Sequence, residues 1–257
     1  MADSDEKPLR LGGMALANGL LVHGPAHWAA AVRTKDGEIK TASGRKPRLR
    51  MAAHDIPGLR GLAGMGEAIL VIPLVKRALP EARLPFESRN VLAATGAAAL
   101  AAGLLRRRGR EAGAALVSLA PSLMALRMGE VAAYHGAEHK TIGAYETGGE
   151  DHSKEHDRCG SHLMAPLLAT QIAGAALLRR ANEKPSQLAQ SAVSAASLGA
   201  AVEVFAWSER HHDTAVARAL RLPGHELQRV LGTREPSAEQ LEVGRAALDA
   251  ILAAERA

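Results

Sequence analysis

The chain has few aromatic residues and a single cysteine. Phe, Trp and Tyr make up 2% of 257 residues, which removes the stacking platforms that hold single-stranded nucleic acid. Cys159 stands alone, so an intramolecular disulfide and a zinc site of four cysteines are both excluded. One thiol also fits a reducing compartment. Gly-x-Gly-x-x-Gly, P-loop and Gly-x-Ser-x-Gly motifs are missing, leaving dinucleotide, nucleoside-triphosphate and serine-hydrolase chemistry without support. The opening Met1-Ala2-Asp3-Ser4-Asp5-Glu6-Lys7 is polar, and no secretory signal is expected. The net charge of +5 is spread along the sequence, and no nucleic-acid partner is expected.

Long apolar runs are missing as well. Residues 91–105, 112–126 and 163–178 are free of charge, and a weaker stretch at 188–207 carries one acid, Glu203. The uncharged runs are 15 or 16 residues long, short of the ~20 that cross a bilayer. A helical membrane bundle of about four apolar helices and a soluble α-helical bundle therefore stand side by side. Charge does not choose between them. Arg106-Arg107-Arg108-Gly109-Arg110 and Arg179-Arg180 fill two short loops and ask to be cytoplasmic. The N-terminal unit and a His-rich loop ask for the opposite.

Three segments are expected in a mainly α protein. Residues 1–55 form a small β-containing unit, because Lys35-Asp36-Gly37 is a hairpin-turn signal between Ala29–Arg33 and Glu38-Ile39-Lys40. Gly12-Gly13 and Gly24-Pro25 punctuate its entry, and the two His of His23-Gly24-Pro25-Ala26-His27 are read as structural. Residues 56–210 form the helical bundle, opening with a helical pattern over 59–79 that Pro73 breaks and Pro80 and Pro85 end. Residues 211–257 are a connector and a C-terminal amphipathic helix. Ser237-Ala238-Glu239-Gln240 resembles a capping box, with Leu241, Leu248, Ile251 and Leu252 on one side.

What the chain does have is Tyr134-His135-Gly136-Ala137-Glu138-His139-Lys140, which contains His-x-x-Glu-His. On a helix the two imidazoles share a face and the carboxylate lies beside them. Such a pair can grip a divalent metal, Zn2+ being expected, while Glu138 moves protons as general base. Gly148-Gly149 stops that helix. A loop dense in ligand-type residues follows, in which His156 and Cys159 are three apart. Catalytic zinc takes three protein ligands, and Glu203, His156, Cys159 and His162 compete for the third place. Glu203 draws attention because a lone carboxylate in an apolar helix is costly unless paired or coordinated. His211-His212 is read as a surface pair.

Tyr134 to Ile142, Tyr145-Glu146 and His156-x-Arg158-Cys159-Gly160 together resemble the bacterial domain-of-unknown-function 1385 family, described as predicted metal-dependent enzymes of the membrane. Further blocks agree: Gly12-Gly13 with Gly19 and Gly24, Ile56-Pro57-Gly58-Leu59-Arg60-Gly61, Val202-Glu203-Val204, and Leu222-Pro223-Gly224 with Leu227-Gln228. Thr233-Arg234-Glu235-Pro236 and Glu239-Gln240-Leu241-Glu242-Val243 complete the match. The resemblance implies four membrane helices in the cytoplasmic membrane, with both termini and the His-x-x-Glu-His loop on the cytoplasmic side. It supports His135, Glu138, His139, Glu146, His156, Cys159 and Glu203 as site residues. Met14 and Asn18 stand where the family usually has Gln and Glu. Asp157 replaces Pro or an aromatic residue, and His162 replaces Ser or a large apolar residue. The expected function is a membrane-associated zinc hydrolase of unknown substrate with the lipid bilayer as partner. The alternative is a non-enzymatic membrane scaffold or assembly factor whose cluster is structural.

Overall fold

The computed structural model describes residues 8–49, 56, 59–127 and 129–257. Residues 1–7, with their expected lack of a signal, and Pro57 and Gly58 of the 56–61 block lie outside them. Four strands, β1 (Gly12–Leu16), β2 (Gly19–His23), β3 (His27–Arg33) and β4 (Ile39–Arg45), form an antiparallel meander in sequence order. The expected Asp-Gly turn closes β3 onto β4, with Gly37 at φ +88, a backbone region that favours glycine. Gly12 and Gly13 lie inside β1 rather than before it.

Side chains alternate across the sheet. Ala15, Leu20, Val22, Ala29 and Ala31 enter one buried cluster with α4 (Val131–Thr147) and α8 (Ala238–Arg256). Leu16, Leu21, Trp28, Ala30 and Val32 enter another with Val71 and Val75 of α1 (Leu59–Ala78) and with Leu79 just past its end. Each large apolar side chain so buried contributes about 1.5–3 kcal/mol. The expected break at Pro73 does not occur, and α1 runs through it. Pro73 is exposed while Val71 and Val75 are buried. The hydrogen bond that proline deletes therefore falls on the outer side, and packing holds both halves of the helix to the sheet.

At the C-terminus, Ser237 and Gln240 make the capping box: the Gln240 N–H donates to Ser237 Oγ at 3.3 Å, and the Ser237 N–H to Gln240 Oε1 at 2.9 Å. The innermost residues of α8 are Val243, Gly244, Ala247 and Ile251, with Leu241, Leu248 and Leu252 at the flanks. Gly244 sets that rotation, since a Cβ there would strike Thr141. Glu255 accepts the N–H groups of Ala26 and His27 at 2.8 and 2.7 Å, tying α8 to the β2–β3 turn.

Two helical hairpins leave this base. One is α2 (Arg89–Arg107) with α3 (Glu111–Arg127), and the other is α5 (Met164–Ala181) with α6 (Gln187–Arg210). α3 packs on α5, and Arg179 pairs with Glu111 and donates to the Arg106 carbonyl. Both basic loops therefore meet at the far end. On α5 and α6, Thr170 Oγ1 lies 2.9 Å from the Ser197 carbonyl and Ser197 Oγ 3.1 Å from the Thr170 carbonyl. Outer side chains such as Leu100, Leu177 and Leu188 are 74%, 64% and 80% exposed. Among the described residues, Gly160–Ala181 (22 residues) and Gln187–Arg210 (24 residues) are long and apolar enough to cross a membrane, and α3 with α4 makes a third if that bent pair is one span. These helices outrun the uncharged stretches because Arg179, Arg180, Glu209 and Arg210 sit within their last turns. Among the described residues the protein is mainly helical with two or three candidate spans, where the sequence reading expects four.

Candidate metal centre

Helix α4 begins after Gly129 (φ +60) and ends at Gly148 (φ +66), whose N–H donates to the Ala144 carbonyl. It is buried on nearly every side from Val131 to Gly143. β1 and α8 cover part of it, and the 232–236 segment lies against Gly136, where a Cβ would strike the Arg234 carbonyl. The helical repeat leaves His135, Glu138, His139 and Ile142 to line a cavity of about 630 Å³.

Backbone carbonyls aim the two imidazoles. His135 Nδ1 is 2.7 Å from the Gly232 carbonyl, and His139 Nδ1 is 2.6 Å from the Lys154 carbonyl. A carbonyl only accepts, so each Nδ1 carries a proton and each Nε2 is left as the ligating atom. Burial, and then neighbouring His135, push the His139 pKa down to about 2, keeping that ring neutral. Cys159 opens a short 3-10 turn (Gly160–Leu163), and its Sγ lies 3.4 Å from His135 Nε2. One ligand atom from each of His135, His139 and Cys159 falls within 4.8 Å of the other two. Tetrahedral zinc separates its ligand atoms by about 3.5 Å, so the set fits such an ion after a small closure. Burial raises the Cys159 thiol pKa, and binding a cation there would release its proton.

Glu138 is 7% exposed, and burial pushes its pKa up to about 7, His135 opposing and Cys159 adding. It lies against β1 at Gly13, where any Cβ would meet its carboxyl group. Beside the centre, His156 Nδ1 accepts the Arg158 N–H at 3.2 Å, so Nε2 is the protonated nitrogen, 3.3 Å from Glu146. Glu146 also pairs with Arg158. Both His156 nitrogens are thus engaged. Gln228, fully buried, fixes this loop by accepting the His156 N–H at 2.8 Å and donating to Ser161 Oγ at 2.8 Å.

The structure brings His135, His139 and Cys159 together with Glu138 beside them. His156 lies one ring further out, 5.5 Å from the His139 centroid. Glu203, half-buried on α6, belongs neither to the ligand group nor to the cavity wall. A carboxylate within an apolar helix signals a cost of burial, and that cost does not fix which site it serves. His162 is buried with Nδ1 2.9 Å from the Arg221 carbonyl. Asn18 bonds the Arg33 and Glu81 carbonyls and the Arg83 N–H, a purely structural set. The exposed His211 stacks on Trp207. Sequence reasoning missed the carbonyls of Gly232 and Lys154, since no side chain announces them. The Gln228 clamp had one signal, its place in the Leu227-Gln228 block.

Fold and site define a mainly helical protein with candidate membrane spans, a four-stranded antiparallel base, and a His/Cys group able to hold a metal where they join. The sequence profile of DUF1385, described as a protein of unknown function, matches residues 119–254, and the chain belongs to that family. No curated protein and no solved structure matches it.

Proposed function

We propose that this protein is a membrane-associated, metal-dependent hydrolase. Zn2+ would be held by His135, His139 and Cys159, with Glu138 as general base. The observation that carries the reading is the pair of imidazoles whose Nδ1 atoms are spent on backbone carbonyls, set so that one ligand atom from each lies within 4.8 Å of the other and of Cys159 Sγ, with His135 Nε2 at 3.4 Å from that sulfur. A bound divalent ion supplies Lewis acidity, lowering the pKa of water towards neutrality. Glu138, with a pKa of about 7, takes a proton from the attacking water and returns it to the leaving group. The Gly13 backbone leaves room for that carboxyl group, and Gly232 and Lys154 keep both rings in register. In this reading α2, α3, α5 and α6 all lie in the bilayer, and the base with both termini faces the cytoplasm.

The scaffold alternative needs closed four-ligand coordination. His156 is the nearest further imidazole, and its nitrogens are committed to Arg158 and Glu146. That favours three protein ligands and one open position on the cavity side.

Metal analysis of purified protein tests the proposal. About one zinc per chain is expected, lost in His139→Ala and Cys159→Ser and kept in Glu138→Gln and Glu203→Gln. Protein without stoichiometric metal, or His139→Ala with unchanged metal, would sink it.

A further inference from the structure

The cavity beside the His/Cys group has two unlike ends. His135, Glu138, His139, Arg158 and Cys159 gather at one end. Most of the rest of the wall is apolar, built from Val91 on α2, Pro121, Ala125 and Leu126 on α3, Val131 on α4 and Met14 on β1, with the hydroxyls of Thr95 and Ser122 among them. Apolar walls with a few convergent polar groups mark a site that holds the body of a ligand at one end and orients its reactive group at the other.

Exposure shows where the apolar end opens. Val91 and Ala125 are buried, whereas Thr95, Ser122 and Phe86 of the same wall are exposed. Leu92, one turn before Thr95, is 59% exposed, and Leu100 and Leu104 continue along the same helix at 74% and 57%. The mouth is therefore continuous with the apolar outer surface of the α2–α3 hairpin. It sits near the start of α2 and the end of α3, at the base of that hairpin. A water-soluble peptide or sugar would gain nothing from such an entrance. An aliphatic chain already lying among the hairpins would enter without leaving an apolar medium.

We infer that the ligand is an acyl lipid, its chain running between α2 and α3 and its ester or amide carbonyl lying at the His135–Glu138–His139–Cys159 end. This rests on the hydrolase reading for the reaction and, for the binding, only on the proposed placement of the hairpins in the bilayer. The reaction would be hydrolysis. The oxygen of water bonds to the acyl carbon, the C–O or C–N bond breaks, and the leaving oxygen or nitrogen takes a proton from Glu138. The products are a fatty acid and an alcohol or amine. Arg158 is neutralised by Glu146, so no anionic headgroup is required.

The test uses the full chain in phosphatidylcholine nanodiscs and palmitic acid bearing a mid-chain diazirine, irradiated and mapped by peptide mass spectrometry. Saturable labelling is expected on the peptide containing Ala125, Leu126 and Val131, suppressed about ten-fold by excess unlabelled palmitate. Labelling of Leu177 and Leu188, which face outwards, should not saturate. Ala125→Trp, which fills the chain's path, should lower the saturable fraction about ten-fold. Thr95→Trp makes the same test at an exposed rim position that folding tolerates. Cavity labelling that excess palmitate leaves unchanged, or a full saturable signal in Thr95→Trp, overturns the inference. Metal content measured on the same samples separates the two claims. Saturable labelling without metal keeps the lipid site and removes the hydrolase, and metal without saturable labelling does the reverse.

Discussion

The base and the hairpins are built from the same small residues, and those residues play opposite parts. In the base, glycines sit where neighbours come closest: Gly136 lies under the Arg234 carbonyl, and Gly244 against the side chains of Thr141 and Leu20. In the α2–α3 hairpin, Gly96 and Gly103 have nothing within 4 Å of a would-be Cβ. The same contrast runs through the polar groups. The base buries Glu138, His139, His162 and Gln228, while the hairpins expose Leu100, Leu177 and Leu188. A water-bathed protein gains nothing from that outer arrangement. A protein whose hairpins are surrounded by hydrocarbon gains from it, because the apolar surface then has no water to avoid. Smallness buys close approach in the base and costs little in the α2–α3 hairpin.

The strongest way to break this comparison is one substitution made in both regions. Gly→Ala inside a helix ordinarily stabilises by up to about 1 kcal/mol. Gly96→Ala should follow that rule. Gly136→Ala should reverse it, because its Cβ would meet the backbone carbonyl of Arg234, a residue whose own N–H is held by the Ala132 carbonyl at 2.8 Å. We expect a loss of about 3 kcal/mol or more, read as a fall in the thermal midpoint in detergent. Equal effects at the two positions would mean that base and hairpins are packed alike.

Short-range patterns were the legible part of this sequence. Spacing of three and four placed Glu138 and His139 on the face of His135, Asp36-Gly37 gave the β3–β4 turn, and Ser237 with Gln240 gave the start of α8. The family resemblance drawn from the motif blocks agrees with the match over residues 119–254. Long-range closure was not legible. Cys159 reaches His135 across 24 residues because Gln228, a further 69 along the chain, fixes the loop between them. Spacing in sequence carries no trace of that. Glu203 drew notice through a real energetic argument that says nothing about direction. The helix lengths were underestimated for a related reason. Counting only uncharged residues ignores the three arginines and one glutamate that occupy the last turns of α5 and α6.

Acid should separate the two regions next. Burial, helped by nearby Lys46, lowers the His23 pKa from 6.5 to about 4. The folded base therefore disfavours the protonated ring. Its contribution is fully present above pH 6.5 and is lost as pH falls from 6.5 towards 4. A fall from 6.5 to about 4 corresponds to at most about 3 kcal/mol, and partial exposure reduces it to about 2 kcal/mol. His139, also depressed, adds its own loss in the wild type, so His23→Gln isolates the share of His23. Chemical denaturation at pH 7 and pH 4.5 should show about 2 kcal/mol less acid sensitivity in the variant. An identical pH slope in both proteins would show that His23 is solvated in the native base.

The smallest expected effect lies within the hairpins. Thr170 and Ser197 face each other's carbonyls at 2.9 and 3.1 Å, and a Cβ on Gly174 would touch Val193 and Ser197. α5 and α6 are thus held by close backbone approach and two hydroxyls, with little large-side-chain packing. Interhelical hydrogen bonds in a bilayer are worth about 0.6 kcal/mol, because the separated helices find partners of their own. Thr170 has such a partner, the Pro166 carbonyl at 2.8 Å. Thr170→Val and Ser197→Ala should therefore each cost about 0.5–1 kcal/mol, with a coupling of about 0.5 kcal/mol in a double-mutant cycle. Reversible unfolding in mixed micelles can resolve that. A coupling near zero would mean that the two hydroxyls act independently and that close approach at Gly174, not this pair, holds the two helices together.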